Sequence, residues 1–249
     1  MATEFRSVWI SDLHLGTRWT NVDALNTFLR DLSCQKLYLV GDIFDFWVLD
    51  KNWYWPTSHN EVMLNIFRIS EEGTEVIYVP GNHDDIFRGY DGMSMSGIRM
   101  ANSDTHTTAD GRRFVVTHGD EFDRVVANHR WLAKLGARAD NFIRWLSKLI
   151  NDFLGRFNVP EWQAPAFFKH SIKGVCKLGS SFERSLVSLA GELGCNGVIC
   201  GHVHKTALKE FDNRLYCNDG DWIDNASALV EHTDGNLELL DCKTHALRL

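Results

Sequence analysis

"EVIYVPGNHDDIF" (residues 75–87) joins a β-branched apolar run to an amide, an imidazole and two carboxylates. Glycine and asparagine suit a turn for conformational reasons alone, so in isolation the stretch reads as a strand followed by a loop. What decides the fold is recurrence. Comparable runs stand at "SVWISD" (7–12), "LYLVGD" (37–42), "FVVTHG" (114–119) and "GVICGH" (197–202), and each leads into Asp or His. "RLYCNDGD" (214–221) and alternating stretches near 227–231 and 236–241 follow.

Between the first three runs lie helical patterns, "NVDALNTFLRDLS" (21–33) and "EVMLNIFRISEEG" (61–73). Strand–helix–strand alternation predicts an α/β fold with parallel strands, and continuous apolar runs predict strands buried on both faces. The later strands lack long helices between them and are expected to be antiparallel.

The length of 249 residues suits one large α/β domain or a domain carrying an insertion. A 44% apolar and 24% charged composition is that of a globular protein, and no run of about 18 apolar residues is present to cross a membrane. The start, "MATEFRSVWISD", has no apolar signal-peptide core, which gives the expectation of a cytoplasmic protein. Cys34, Cys176, Cys195, Cys200, Cys217 and Cys242 are scattered without a CxxC pair and read as reduced structural thiols.

The net charge of -7 is unevenly spread. Residues 124–184 hold 11 Lys+Arg against 4 Asp+Glu, leaving 15 basic and 29 acidic residues elsewhere. "NFIRWLSKLINDFLGRF" (141–157) within that block is a basic amphipathic helix, with Phe142, Leu146, Leu149, Phe153 and Phe157 on one side and Arg144, Lys148 and Arg156 on the other. The expected organisation is a single domain, 1–249, with a helical cap inserted at about 123–190. The block either meets an anionic partner or is a solvated helical face.

In open α/β sheets the carboxyl ends of the strands gather on one edge, where ligands bind. Five runs thereby deliver Asp12 and His14, Asp42, Asn82, His118, and His202 with His204 to one rim. Each alone is ordinary turn chemistry; the set is not. Clustered carboxylates repel one another unless protonated or bridged by cations. Mixed Asp, Asn and His donors without thiolate favour Mn, Fe, Zn, Co or Ni over an all-oxygen site. Seven donors exceed one tetrahedral ion and suit a pair of divalent ions sharing a carboxylate, the usual arrangement for displacement at phosphorus.

The ordered motifs D-x-H (12–14), G-D-x-x-D (41–45), G-N-H-D (81–84), H-G (118–119) and G-H-x-H (201–204) resemble those of the calcineurin-like metallophosphoesterase superfamily. That resemblance implies a four-layer α/β/β/α sandwich. It implies that Asp12, His14, Asp42 and His204 hold one metal, and that Asp42, Asn82, His118 and His202 hold the other. His83 matches the family's active-site histidine, which stabilises the transition state or protonates the leaving oxygen. Asp45 and Asp84 are expected to orient neighbouring groups, with Asp84 a catalytic partner accepting from His83. Asp85 reads as a helix cap or a surface charge.

Length, insertion and the opening "ISDLHLG" (10–16) are also similar to the bacterial UDP-2,3-diacylglucosamine pyrophosphatases of lipid A synthesis, peripheral inner-membrane enzymes. This implies metal-bridged hydroxide attack on a nucleotide-linked lipid, yielding 2,3-diacylglucosamine 1-phosphate and UMP, with Mn²⁺ the expected metal. The apolar, basic insertion fits lipid or an anionic membrane surface, although its aromatic residues equally suit packing within the cap. Asp123, Lys169, Lys173 and Lys177 are the expected substrate contacts. One departure stands out, because the best-known members of that group read G-N-R-D where this chain has His83. Two other readings therefore stay open. One is a phosphodiesterase or phosphomonoesterase acting on a soluble nucleotide or nucleic acid, and the other a scaffold that has lost catalysis. Scaffolds of this fold lose ligands, and every motif position is intact here.

Overall fold

The computed structural model describes residues 4–122 and 181–243. The chain forms two compact units, Met1–Asp120 with Leu186–Leu249, and Glu121–Ser185. The expected cap at about 123–190 lies, apart from its last residues from 181 onward, outside the described residues.

The first strands are β1 (Glu4–Ile10), β2 (Ser33–Val40) and β3 (Glu75–Val79), alternating with helices α1 (Val22–Asp31), α2 (Phe46–Leu49) and α3 (Thr57–Glu71). Three short strands follow, β4 (Ser94–Met95), β5 (Ile98–Met100) and β6 (Asp104–Thr107), then β7 (Arg113–Val116). A helix over 181–192 (α4) leads to β8 (Gly197–Cys200), β9 (Ala207–Phe211), β10 (Arg214–Asn218), β11 (Ser227–Glu231) and β12 (Leu237–Asp241). One sheet has the order β12-β11-β1-β2-β3-β5-β4 and the other β6-β7-β8-β10-β9.

The apolar runs are continuous because each strand has two dry faces. Val8 and Ile10, Leu37 and Leu39, and Val76 and Tyr78 pack with Leu25, Phe28 and Leu29 of α1 and Val62, Ile66 and Ile69 of α3. The alternate residues, Trp9, Tyr38, Val40, Ile77 and Val79, pack with Phe114, Val116, Ile199 and Cys217 of the other sheet. A period of two thus feeds two cores at once. On the second sheet Val115, Val198 and Tyr216 are buried on the opposite face, as are Leu186, Val187 and Ala190 of α4. A Cβ on Gly191 of that helix would come within 3.1 Å of the Arg214 side chain on β10, so α4 lies against this sheet. Helix, sheet, sheet and helix make the four layers.

β1, β2, β3 and β5 run parallel, and β11, β12, β9, β6 and β4 pair antiparallel. β10 departs from the antiparallel expectation: it runs parallel to β8 and antiparallel only to β9. The cause is the β9–β10 hairpin, whose turn residues Asp212 and Asn213 have φ of 50° and 60° and return β10 into the slot beside β8. The described cysteines, Cys34, Cys195, Cys200, Cys217 and Cys242, are all free and buried.

One buried ionic group ties the two sheets together. Glu231 of β11, fully buried, accepts from Arg6 Nη1 at 2.6 Å and from the Ala109 N–H at 2.7 Å, and lies 2.7 Å from His106 Nε2. Burial alone would raise this carboxyl, but His106, Ala109 and Arg6 outweigh it and hold Glu231 below the ordinary glutamate range.

Candidate metal centre

The strands stop before their polar motifs, yet the loops beyond β1 and β2 stay zipped together. Asp12 N–H donates to Gly41 O at 3.0 Å, His14 N–H to Asp42 O at 2.9 Å and Leu15 N–H to Ile43 O at 2.9 Å. The pairing carries Asp12 and His14 alongside Asp42. Asp12, His14, Asp42, His202 and His204 have φ of 53°, 47°, 53°, 70° and 52°, so five of the nine non-glycine residues in the left-handed region among the described residues are candidate ligands. Left-handed backbone costs about 1–3 kcal/mol per non-glycine residue and persists where the surroundings enforce it, commonly at functional sites. The preceding glycines permit the crowding. A Cβ on Gly81 would lie 2.6 Å from the Asp42 nitrogen and 2.8 Å from the His118 ring.

Asp12, His14 and His204 bring one ligand atom each within 4.8 Å of one another, as do Asp42, His118 and His202, and also His14, Asp45 and His83. Asp12 Oδ1 lies 3.0 Å from His204 Nε2 and 3.7 Å from His14 Nε2. Asp42 Oδ2 lies 3.3 Å from His118 Nε2 and 3.9 Å from His14 Nε2, which puts Asp42 between the first two groups.

Whether these donors suit a cation is tested by their lone pairs. His118 Nδ1 sits 2.8 Å from Val40 O and His14 Nδ1 3.2 Å from Asp45 Oδ2. With Nδ1 directed at these oxygens, Nε2 is the atom each ring turns to the centre, where its lone pair is available once the Nε2 proton is displaced. Asp12 Oδ1, Asn82 Oδ1 and His118 Nε2 are buried and make no hydrogen bond among the described residues. Buried acceptors left bare by the protein are costly unless something electropositive meets them. The residues fit divalent cations.

Without such ions, protons balance the charge. Burial opposes ionisation of Asp12, but His14, His204 and His118 outweigh it and hold the carboxyl well below its ordinary range. Burial likewise disfavours charged His14 and His118, yet Asp12 with Asp45, and Asp42, raise them to about 10. Cations entering the cluster displace such protons.

The family model for calcineurin-like phosphoesterases matches residues 5–206. The chain belongs to this family. As a calcineurin-like phosphoesterase it is a metal-dependent hydrolase of phosphoesters. A UDP-2,3-diacylglucosamine hydrolase of Vibrio vulnificus (strain CMCP6) is 24% identical, with 92% of this chain and 95% of the relative covered. One from Shewanella sp. (strain ANA-3) is 27% identical over the same shares of the two chains. Among solved structures, an archaeal phosphodiesterase is 12% identical with a TM-score of 0.45, covering 94% of this chain and 98% of that one. No helix among the described residues is long and apolar enough to cross a membrane.

In this phosphoesterase the His83 ring is held from several directions. Nδ1 lies 3.0 Å from Asp45 Oδ1, and Nε2 lies 4.0 Å from Asp42 Oδ2. The His14 ring stands edge-on at 4.7 Å, and the half-exposed Trp47 indole covers His83 with ring centroids 4.0 Å apart. Asp45 also caps α2, its Oδ1 accepting from the Val48 N–H at 2.9 Å.

The expectation that Asp84 partners His83 is corrected here. The Asp84 carboxylate is fully buried and accepts from the N–H groups of Gly81 at 2.6 Å, Ile43 at 2.8 Å, Asp42 at 3.3 Å and Phe44 at 3.4 Å, and from Tyr78 OH. It stitches the loop after β2 to the loop after β3, and Asp45 is the residue at His83. Asp85 makes no cap; it opens a short 3-10 turn (Asp85–Tyr90) as an exposed charge. Asp123, Lys169, Lys173 and Lys177 lie outside the described residues. Trp47 and Ser11 belong to no ligand motif of the sequence, and their contacts with His83 and Asp12 come from the fold.

Proposed function

We propose that this phosphoesterase uses two divalent ions, Mn²⁺ first among Mn, Fe, Zn, Co and Ni, to cleave the pyrophosphate of UDP-2,3-diacylglucosamine into 2,3-diacylglucosamine 1-phosphate and UMP. The observation that carries the substrate is the end-to-end match to relatives named UDP-2,3-diacylglucosamine hydrolase. Asp12, His14, Asp42 and His204 would hold one ion, and Asp42, Asn82, His118 and His202 the other. Bound there, the ions supply Lewis-acid neutralisation of the charge on phosphoryl oxygens.

The chain's own part centres on His83. Asp45 Oδ1 lies 3.0 Å from Nδ1 and holds that side of the ring, so Nε2 is the atom left to give a proton to the departing oxygen. Asp42 Oδ1 takes the His83 backbone N–H at 2.8 Å, which ties that imidazole to the carboxylate between the two donor groups. Asp123, Lys169, Lys173 and Lys177 are proposed to meet the substrate from the cap at about 123–190. The basic, aromatic-rich sequence of that insertion supports peripheral contact with an anionic membrane surface.

The test compares kcat/KM for detergent-dispersed lipid substrate with that for a soluble aryl phosphodiester. Lipid turnover faster by at least about tenfold supports the reading. Equal or better turnover of the soluble ester assigns the enzyme to soluble nucleotides or nucleic acid, which the G-N-H-D motif and the basic insertion also suit.

A further inference from the structure

The segment "NDGDWIDN" (218–225) follows β10 and has no part in the proposed chemistry, yet it grips both loops that carry Asp12, His202 and His204. Asn218 Nδ2 donates to Gly201 O at 2.6 Å, Trp222 N–H to Asp12 O at 3.1 Å and Asn225 Nδ2 to His204 O at 3.0 Å. At its centre is Asp219, fully buried, with Oδ1 2.6 Å from Ser11 Oγ and Oδ2 without a hydrogen bond among the described residues.

Ser11 Oγ lies 2.7 Å from Asp12 Oδ2, which also accepts from the His202 N–H at 2.8 Å. One oxygen of Asp12 is therefore saturated by the protein. The other, Oδ1, has no hydrogen bond among the described residues and lies among His14 and His204. We propose that Asp219 is a positioning residue of the metal centre, acting through Ser11 to lock Asp12 with Oδ1 offered to the cation. The inference rests on reading Asp12 as a ligand.

The proton count supports the chain of contacts. A serine hydroxyl has a single proton, and the bond to Asp12 Oδ2 uses it; the 2.6 Å contact to Asp219 then takes its proton from Asp219. A neutral acid there also avoids a buried anion with a bare oxygen. Burial first, and then the charge of Asp12, push Asp219 well above the ordinary carboxylate range.

The experiment is calorimetric titration of Mn²⁺ into metal-stripped full-length protein, with apo thermal melts as the control for folding. D219A is expected to weaken one of two sites by roughly 10–100-fold. D219N, whose amide N–H replaces the acid, should stay within about threefold of wild type. S11A should match D219A, and the double variant should be no worse than S11A. Wild-type affinities in D219A overturn the proposal, as does a D219A loss that persists undiminished on the S11A background. If D219A does not fold, wild-type affinity in S11A overturns it. Wild-type protein that binds no Mn²⁺ defeats the metal-centre reading instead, so the two failures are distinct.

Discussion

Asp45 reaches His83 with one carboxylate oxygen, 3.0 Å from Nδ1, while its other oxygen lies 3.2 Å from Nδ1 of His14. One carboxylate thus orients a candidate ligand and the candidate proton donor together. An asparagine keeps only one acceptor oxygen and cannot serve both rings. D45N should lower kcat by about 10–100-fold with little change in the apo melting temperature. Steady-state kinetics beside a thermal melt checks this; kcat at the wild-type level would dismiss the shared role.

His83 is the residue whose exact duty the geometry makes testable. It lies with His14 and Asp45 in a cluster able to hold a cation, and its Nε2 lies 4.0 Å from Asp42 Oδ2. Acting as a proton donor, His83→Ala should lower kcat by about 10²–10⁴-fold while metal content stays near two ions per chain. Elemental analysis decides: loss of an ion would make His83 a ligand.

Much of this was legible because strand ends announce themselves chemically. An apolar run with two dry faces must be followed by residues that face solvent or a ligand, and Asp12, Asp42, Asn82, His118 and His202 stand at those positions. Side-chain direction in the loops was not legible. Asp84 and Asp45 are both acids near His83, and only the left-handed turn at Asp42 and the five groups around Asp84 decide which one reaches it. Ser11 and Asp219 are 208 positions apart, and no local pattern links them. The direction of β10 was hidden for a similar reason, since a two-residue turn at Asp212 and Asn213 reverses the chain into an interior slot.

Asp42 has no redundant atom: Oδ1 holds the His83 backbone, and Oδ2 stands between His118 and His14. Asp42→Ala should therefore abolish turnover and the second equivalent of bound metal together. A variant that is active and carries two ions would rule out the shared position.

The donor set sorts metals by softness as well as charge. Imidazoles, carboxylates and one amide without thiolate bind Mn²⁺ and its neighbours well and Mg²⁺ poorly. Chelation should stop hydrolysis, and Mn²⁺ should restore it further than Mg²⁺ at equal concentration. Full recovery with Mg²⁺ alone would be the contrary result, read from initial rates across a metal series.

Stability rests in part on a buried ionic group removed from the chemistry. Glu231 has a folded-state pKa lowered from 4.5 because His106, the Ala109 N–H and Arg6 outweigh the penalty of burial. A depressed carboxylate stabilises the fold above its unfolded pKa, and that contribution is lost as pH falls through the lower folded value. E231Q breaks the buried group that joins the two sheets and should cost roughly 3 kcal/mol at neutral pH. The gap between the wild-type and E231Q melting temperatures should shrink as pH falls below 4.5. A gap that widens on acidification would mean that the neutral acid, not the carboxylate, is the form the fold prefers.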